Sequence, residues 1–131
     1  MSTLSLKEFQ EQVSELLLRH RSILDVLSKY DQSNSSVHRS VIKSITECGC
    51  VEVHASKQPF SENMTLEEAK ESLESHVEGR LCDGCMEAVT SELGRNIFYM
   101  SALCNLLNVD LEEVITKESG KCSTLGLFRL T

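Results

Sequence analysis

The chain of 131 residues has no tryptophan, one proline and six glycines, and aromatic side chains make up 5% of it. Proline and glycine are the residues that most often interrupt helices, so their scarcity favours long helical segments over a turn-rich β-fold. No apolar run is long enough to span a membrane, and no secretory signal pattern is visible. We therefore expect residues 1–131 to form a single helical domain in the cytoplasm, without membrane association.

Acidic residues outnumber basic ones, and the net charge of −7 arises in the second half of the chain. Residues 1–60 carry seven basic and seven acidic side chains, whereas residues 61–131 carry six and thirteen. A protein with a pI near 5.1 lacks the positive surface that binding to a phosphate backbone requires. Nucleic acid is therefore not an expected partner.

Apolar residues at helical spacing predict an all-α bundle of four to five helices. The boundaries are expected near residues 6–30, 35–47, 65–79, 85–107 and 111–118, with a docked C-terminal tail over 119–131. The polar segment 31–36 predicts a turn between the first two helices, and Thr65 with Glu68 fits a capping box. The alternation of Val51 to His54 predicts a short strand.

Four of the six cysteines form two tight pairs, Cys48-Gly49-Cys50 and Cys82-Asp83-Gly84-Cys85. Soft thiolates in close pairs are typical ligands of a tetrahedral zinc site. Four sulfurs fill the coordination of zinc and leave no position for a reacting water, which favours a structural ion over a catalytic one. The expected metal ligands are Cys48, Cys50, Cys82 and Cys85, and the ion would join the end of one helix to the start of another.

Other interpretations of the cysteines stay open. An iron–sulfur centre, a redox dithiol or four unligated thiols would use the same residues. His54 or His76 could replace one thiolate, whereas His20 is expected to pack in the core. Among the remaining cysteines, Cys104 is expected to be a small core residue and Cys122 a tail thiol.

Residues 91–115, SELGRNIFYMSALCNLLNVDLEEVI, resemble the MazG-like, all-α nucleoside triphosphate pyrophosphohydrolases. Members of that superfamily typically have Glu-Leu-Gly-Asp, an apolar aromatic-rich helix, a short turn and Leu-Glu-Glu. The whole chain is also similar to a bacterial MazG-like branch with the same cysteine pattern. The resemblance implies a helical bundle and a homodimer.

The resemblance also implies a catalytic pattern, from which this chain departs. In the superfamily, an EExxE helix and an ExxD helix hold magnesium against a triphosphate. Here Glu92 matches the first position of the second motif, but Arg95 stands where the aspartate belongs. Glu67, Glu68 and Glu71 spell EExxE, although an acidic first turn is also common at an exposed helix N-terminus.

Three functions follow as hypotheses. The first is a zinc-stabilised MazG-like bundle with little or no catalysis, which binds a protein partner or a nucleotide-like ligand. The second is a magnesium-dependent nucleoside triphosphate pyrophosphohydrolase that uses Glu67, Glu68, Glu71 and Glu92, with Arg95 on phosphate. The third is a redox sensor that releases zinc when its thiolates are oxidised.

Overall fold

A computed structural model describes residues 3–17 and 22–125 of the chain. The described part contains five helices and one two-stranded antiparallel sheet. In chain order the elements are α1 Leu6–Leu16, α2 Ile23–Lys43, a π-helical turn Ser44–Cys48, β1 Val51–Val53, α3 Leu66–Ser72, β2 Val77–Gly79, α4 Asp83–Leu106 and α5 Leu111–Leu125. The expected mostly helical class is confirmed. In these residues, no helix has both the length and the apolar character needed to cross a bilayer.

The two predicted N-terminal helices have different boundaries in the structure. The single helix expected over 6–30 is wrong, because α1 ends at Leu16 and the Ser22 hydroxyl caps α2 by accepting a hydrogen bond from Leu24 N. The turn expected over 31–36 is also wrong, since those residues lie inside α2. There Ser33 Oγ donates to the Tyr30 carbonyl oxygen, so the serine is satisfied within the helix rather than breaking it. His20 lies outside the described residues.

Helices α2 and α4 form the central pair and run antiparallel, because the end of α2 and the start of α4 meet at the cysteines. Halfway along the pair, the Asn96 side-chain amide donates to Ser33 Oγ and to Asn34 Oδ1. Helix α1 packs on the C-terminal half of α4, where the small apolar core lies. The core consists of Val13, Leu17, Val26 and Ala102, with Phe9, Phe98 and Leu103 packed against it.

Gln10 joins α1 to the turn between α4 and α5. Its amide nitrogen donates to Asn105 Oδ1 and to the Val109 carbonyl, both at 3.0 Å. Its amide oxygen accepts a hydrogen bond from the buried Leu111 N at 2.8 Å. Asn105 Nδ2 donates in return to the Gln10 carbonyl. A buried glutamine with all of these partners fixes the position of three helices at once.

Only the first strand of the β1–β2 sheet was predicted from the sequence. Strand β1 is confirmed, and Thr65 caps α3 through Glu68 N as expected. The third helix was predicted to end near Gly79, but α3 ends at Ser72 and Val77–Gly79 pairs with β1 instead. Helix α5 also continues beyond the predicted residue 118, to Leu125. The tail residues Leu127 and Phe128, expected to dock, lie outside the described residues.

Candidate metal centre

The first cysteine pair sits where α2 changes its winding. The π-helical turn carries Cys48 at its last position, and Gly49 follows in the left-handed conformation with φ of +78°. Gly49 N donates to the Ser44 carbonyl, which closes the wide turn. Glycine adopts this backbone conformation without steric cost, so the chain reverses within one residue and returns Cys50 to the same side as Cys48.

The second pair sits at the N-terminus of α4. Cys82 occupies the N-cap position, and its Sγ accepts a hydrogen bond from Cys85 N at 3.4 Å. This backbone donor, followed by the neighbouring thiols, lowers the pKa of Cys82 to about 7. The positive end of a helix stabilises a thiolate, and metal binding requires one. The Cys82 side-chain hydrogen bond is the largest of the effects that raise the pKa of Cys85 to about 12.

The four thiols converge at one point, as the spacing predicted. The sulfurs of Cys48, Cys50, Cys82 and Cys85 all lie within 4.8 Å of one another. Cys48 Sγ and Cys82 Sγ are 3.7 Å apart. Zinc–sulfur bonds of about 2.3 Å in a tetrahedron place neighbouring sulfurs about 3.8 Å apart, so the Cys48–Cys82 separation matches that of two thiolates on one zinc ion. Cys48 and Cys82 are exposed, whereas Cys50 and Cys85 are half-buried.

Neither remaining cysteine belongs to this cluster. Cys104 is half-buried in α4, and burial raises the pKa of its thiol. The sequence predicted a small core residue here, and the structure places Cys104 outside the buried core cluster. Cys122 is exposed on α5.

His54 lies apart from the cysteines, in a group of side chains on the β1–β2 sheet. Residues i and i+2 of a strand share one face with the cross-strand partner of either, and here these are Glu52, His54 and Glu78. His54 Nε2 lies 3.1 Å from Glu52 Oε2 and 3.5 Å from Glu78 Oε2. The three side chains offer ligand atoms to a cation, and all three are exposed. His76 belongs to neither group of possible ligands in the described residues; its carbonyl accepts from His54 N.

The hydrogen bond that the Glu52 carboxylate accepts from His54, together with the charge of Glu78, raises the pKa of His54. We expect Glu52→Gln to lower the pKa of His54 towards its ordinary value, whereas Glu62→Gln, on an exposed loop, leaves it unchanged. A ring-proton NMR titration measures this. Because the folded-state pKa is the higher one, any stability from this contact is complete below the ordinary pKa and is lost as the pH rises through the raised value. Identical titration curves for wild type and Glu52→Gln would contradict the assignment.

The carboxylates proposed for magnesium are not gathered in one place. Glu67, Glu68 and Glu71 lie on α3 and are exposed, whereas Glu92 lies on α4. In residues 3–17 and 22–125, none of these four belongs to a group of three acidic, histidine or cysteine side chains at metal-ligand distance. Glu92 Oε2 is shielded from solvent without a hydrogen-bond partner, and Arg95 Nη1 lies 3.8 Å from it.

A groove between α2 and α4 opens beside the cysteine cluster, with a volume of about 620 Å³. Arg39 and Lys43 line it from α2, while Gly84, Ala88 and Ser91 form a wall of small residues on α4. Cys48, Cys85 and Glu92 also line it. A smaller depression adjoins it at the shared Ser36 and contains Lys29 and Arg95.

We call the residues Lys29, Arg39, Lys43 and Arg95 the basic strip. They lie along one side of the α2–α4 pair, because 29, 39 and 43 share one side of α2 and Arg95 faces the same depression as Lys29. Of these residues, the sequence predicted a ligand-binding role for Arg95 alone. Lys29, Arg39 and Lys43 could be placed on one side from the sequence only if residues 23–43 were known to form a single helix.

Comparison of the chain with family models, with curated proteins and with solved structures gives no match. Likeness to the MazG-like superfamily therefore depends on residues 91–115 of the chain itself.

Proposed function

We propose that this chain is a zinc-stabilised, MazG-like helical domain that binds a nucleotide-like anion between α2 and α4 and has little or no hydrolytic activity. The single observation that carries the proposal is the basic strip along a groove that ends at the four-cysteine cluster. Two carboxylates, Glu47 and Glu92, also line the groove and neutralise only part of the charge of these four cations. A negatively charged ligand explains their placement.

The cysteine cluster would serve this function by fixing the width of the groove. Cys48 ends the π-helical turn after α2, and Cys82 begins α4, so an ion bound to both holds these helix ends together. Zinc with four thiolates has no open coordination position, which suits a structural role. Cys48 and Cys85 line the groove, so loss of the ion would change the shape of the ligand site directly.

A nucleotide has the chemistry that the groove residues can recognise. Arg39, Lys43 and Arg95 offer guanidinium and ammonium donors to phosphate oxygens. Glu92 Oε2 has an unused acceptor position and could receive a hydrogen bond from a ribose hydroxyl or a base amino group. Hydrolysis is not proposed, because in the described residues Glu92 and the α3 carboxylates form no group at metal-ligand distance.

The test is calorimetric titration of the zinc-loaded chain with ATP, deoxynucleoside triphosphates and pyrophosphate, with and without magnesium. We expect binding that Arg39→Ala and Arg95→Ala each weaken by about tenfold or more, while Lys121→Ala, on α5, has no effect. Absence of binding at millimolar ligand would reject the proposal. Magnesium-dependent cleavage at about 1 s⁻¹ or faster would establish the pyrophosphohydrolase instead.

The exposure of Cys48 and Cys82 favours a redox sensor as the second candidate. Their sulfurs, 3.7 Å apart, could form a disulfide, in which two thiolates lose two electrons to peroxide, two protons are taken up and two waters form. Zinc would then be released. Release of zinc by stoichiometric peroxide, reversed by a thiol reductant, would support this function. Retention of zinc under these conditions would exclude it.

A further inference from the structure

A second group of possible metal ligands lies on the β1–β2 sheet. Glu52 and Glu78 are cross-strand partners, and His54 follows two positions after Glu52. Side chains at such positions project from the same face of a two-stranded sheet. One ligand atom from each of the three lies within 4.8 Å of the other two, and none of the three belongs to the four-cysteine cluster. The sheet therefore brings one imidazole and two carboxylates together at one point.

Both carboxylates lie close to the same nitrogen atom of His54. Its Nε2 is 3.1 Å from Glu52 Oε2 and 3.5 Å from Glu78 Oε2. Zinc–nitrogen and zinc–oxygen bonds of about 2.1 Å place two ligands of a tetrahedral ion about 3.4 Å apart. Both separations that involve the imidazole are therefore close to the separation of two ligands on one zinc ion.

One imidazole hydrogen can serve only one of the two carboxylates. Nε2 carries at most one hydrogen, and its hydrogen bond is made with Glu52. Glu52 and Glu78 also stand directly opposite each other, and like charges in that position destabilise a pair of strands. A divalent cation bound among the three side chains would contact both carboxylates and neutralise their charge.

A depression of about 310 Å³ borders this group of ligands. His54 and Glu78 line it together with Glu74 and His76, which precede β2. Gln58 holds this part of the wall, because its Oε1 accepts a hydrogen bond from Glu74 N at 3.0 Å and its Nε2 donates to the Glu74 carbonyl at 2.6 Å. Three protein ligands leave at least one position of a tetrahedral ion open, and the depression has room there for water or a small anion.

We propose that Glu52, His54 and Glu78 form a second zinc site, with one nitrogen ligand, two oxygen ligands and at least one exchangeable position. The imidazole favours zinc and similar transition-metal ions over magnesium and calcium, which take oxygen ligands. All three side chains are exposed, so this ion exchanges with solvent and binds more weakly than an ion held by four thiolates. Among the described residues, the depression and the groove between α2 and α4 have no lining residue in common, so the inference does not depend on the proposed function.

The test is equilibrium dialysis of the zinc-loaded chain against free zinc at about pH 8, which favours the neutral imidazole that a metal requires. Dialysis against metal-free buffer should remove the weaker ion, so elemental analysis counts it separately from an ion held by the cysteines. We expect this additional ion in wild type with a dissociation constant of about 10 μM, raised about tenfold or more by Glu78→Gln and by His54→Ala.

The chain offers a matched control for each substitution. Glu74→Gln changes a carboxylate that lines the same depression but is not in the ligand group. His38→Ala removes an exposed imidazole on α2 that belongs to neither ligand group in the described residues. Both control variants should bind the additional ion as wild type does.

Equal zinc binding by wild type, Glu78→Gln and His54→Ala would overturn the proposal, as would loss of the additional ion from either control. The ring-proton NMR spectrum of wild type decides the question even if a variant does not fold. Zinc bound at Nε2 should shift the His54 signals as the additional ion binds and leave the His38 signals unchanged. Unshifted His54 signals would reject the site. Displacement of the ion by equimolar magnesium would exclude the imidazole as a ligand.

Discussion

Removal of zinc from the metal-loaded chain is expected to lower the free energy of unfolding by about 4 kcal/mol, the contribution of an ion present at a thousand times its dissociation constant. The physical reason is that the ion joins segments that are otherwise weakly held. Cys50 leads into a strand of three residues, and Cys82 precedes α4. Of the four apolar residues of the core cluster, three lie in α1, α2 and α4 and Leu17 directly follows α1, so none lies in the β1–β2 sheet. Urea denaturation with and without a chelator, together with elemental analysis, measures the effect.

Two single substitutions refine this experiment. Cys85→Ser should abolish stoichiometric zinc binding and reproduce the stability of the chelated protein. Cys122→Ser removes an exposed thiol outside the cluster, so it should retain one zinc per chain and wild-type stability. Equal unfolding curves with and without metal would refute the structural role of zinc. Loss of zinc from Cys122→Ser would refute the ligand set.

Gly79→Ala is expected to destabilise the chain by about 3 kcal/mol and to weaken zinc binding. Gly79 ends β2 with φ of +86°, a conformation that costs an L-residue energy in any surroundings. A Cβ atom at this position would also lie 2.5 Å from the Cys50 carbonyl oxygen, which is backbone and cannot move aside cheaply. The displaced peptide carries a proposed metal ligand, so a strand substitution should be detected at the metal centre. Denaturation and a competitive zinc titration measure the two effects.

The control for this substitution is Gly94→Ala. Gly94 lies inside α4, and an added Cβ would have no atom within 4 Å. Alanine is the better helix former, so this variant should be more stable than wild type by up to about 1 kcal/mol, with unchanged zinc affinity. If both variants behaved alike, the strain assigned to Gly79 would be wrong.

Features that depend on residues a few positions apart were predicted correctly from the sequence, whereas features that depend on distant packing were not. The short spacing within each cysteine pair marked Cys48, Cys50, Cys82 and Cys85 as ligands, and the structure brings the four together. Thr65 was a correct helix start because its cap reaches only to Glu68. In contrast, residues 31–36 were predicted to form a turn but lie inside α2. Their serines can bond either to neighbouring turns or, as in Ser33, to a helical carbonyl, and packing against α4 decides between the two.

The basic strip was missed because the start of α2 was predicted wrongly. Lys29, Arg39 and Lys43 share a side only if α2 runs without a break to Lys43. The prediction of two separate helices removed that relationship.

By itself, the sequence determined the mostly helical class and the four cysteines that come together, and it has Arg95 where the MazG-like motif that residues 91–115 resemble has an aspartate. These are properties of residue type and short spacing, which the backbone geometry of a helix or turn converts directly into position. Only the tertiary structure decided that His54 lies with Glu52 and Glu78, that Glu92 is not grouped with the α3 carboxylates, and that the basic strip lies along one side of α2 and α4. These features depend on the register between segments distant in the chain, and that register is set by packing and hydrogen bonds such as Asn96 to Ser33.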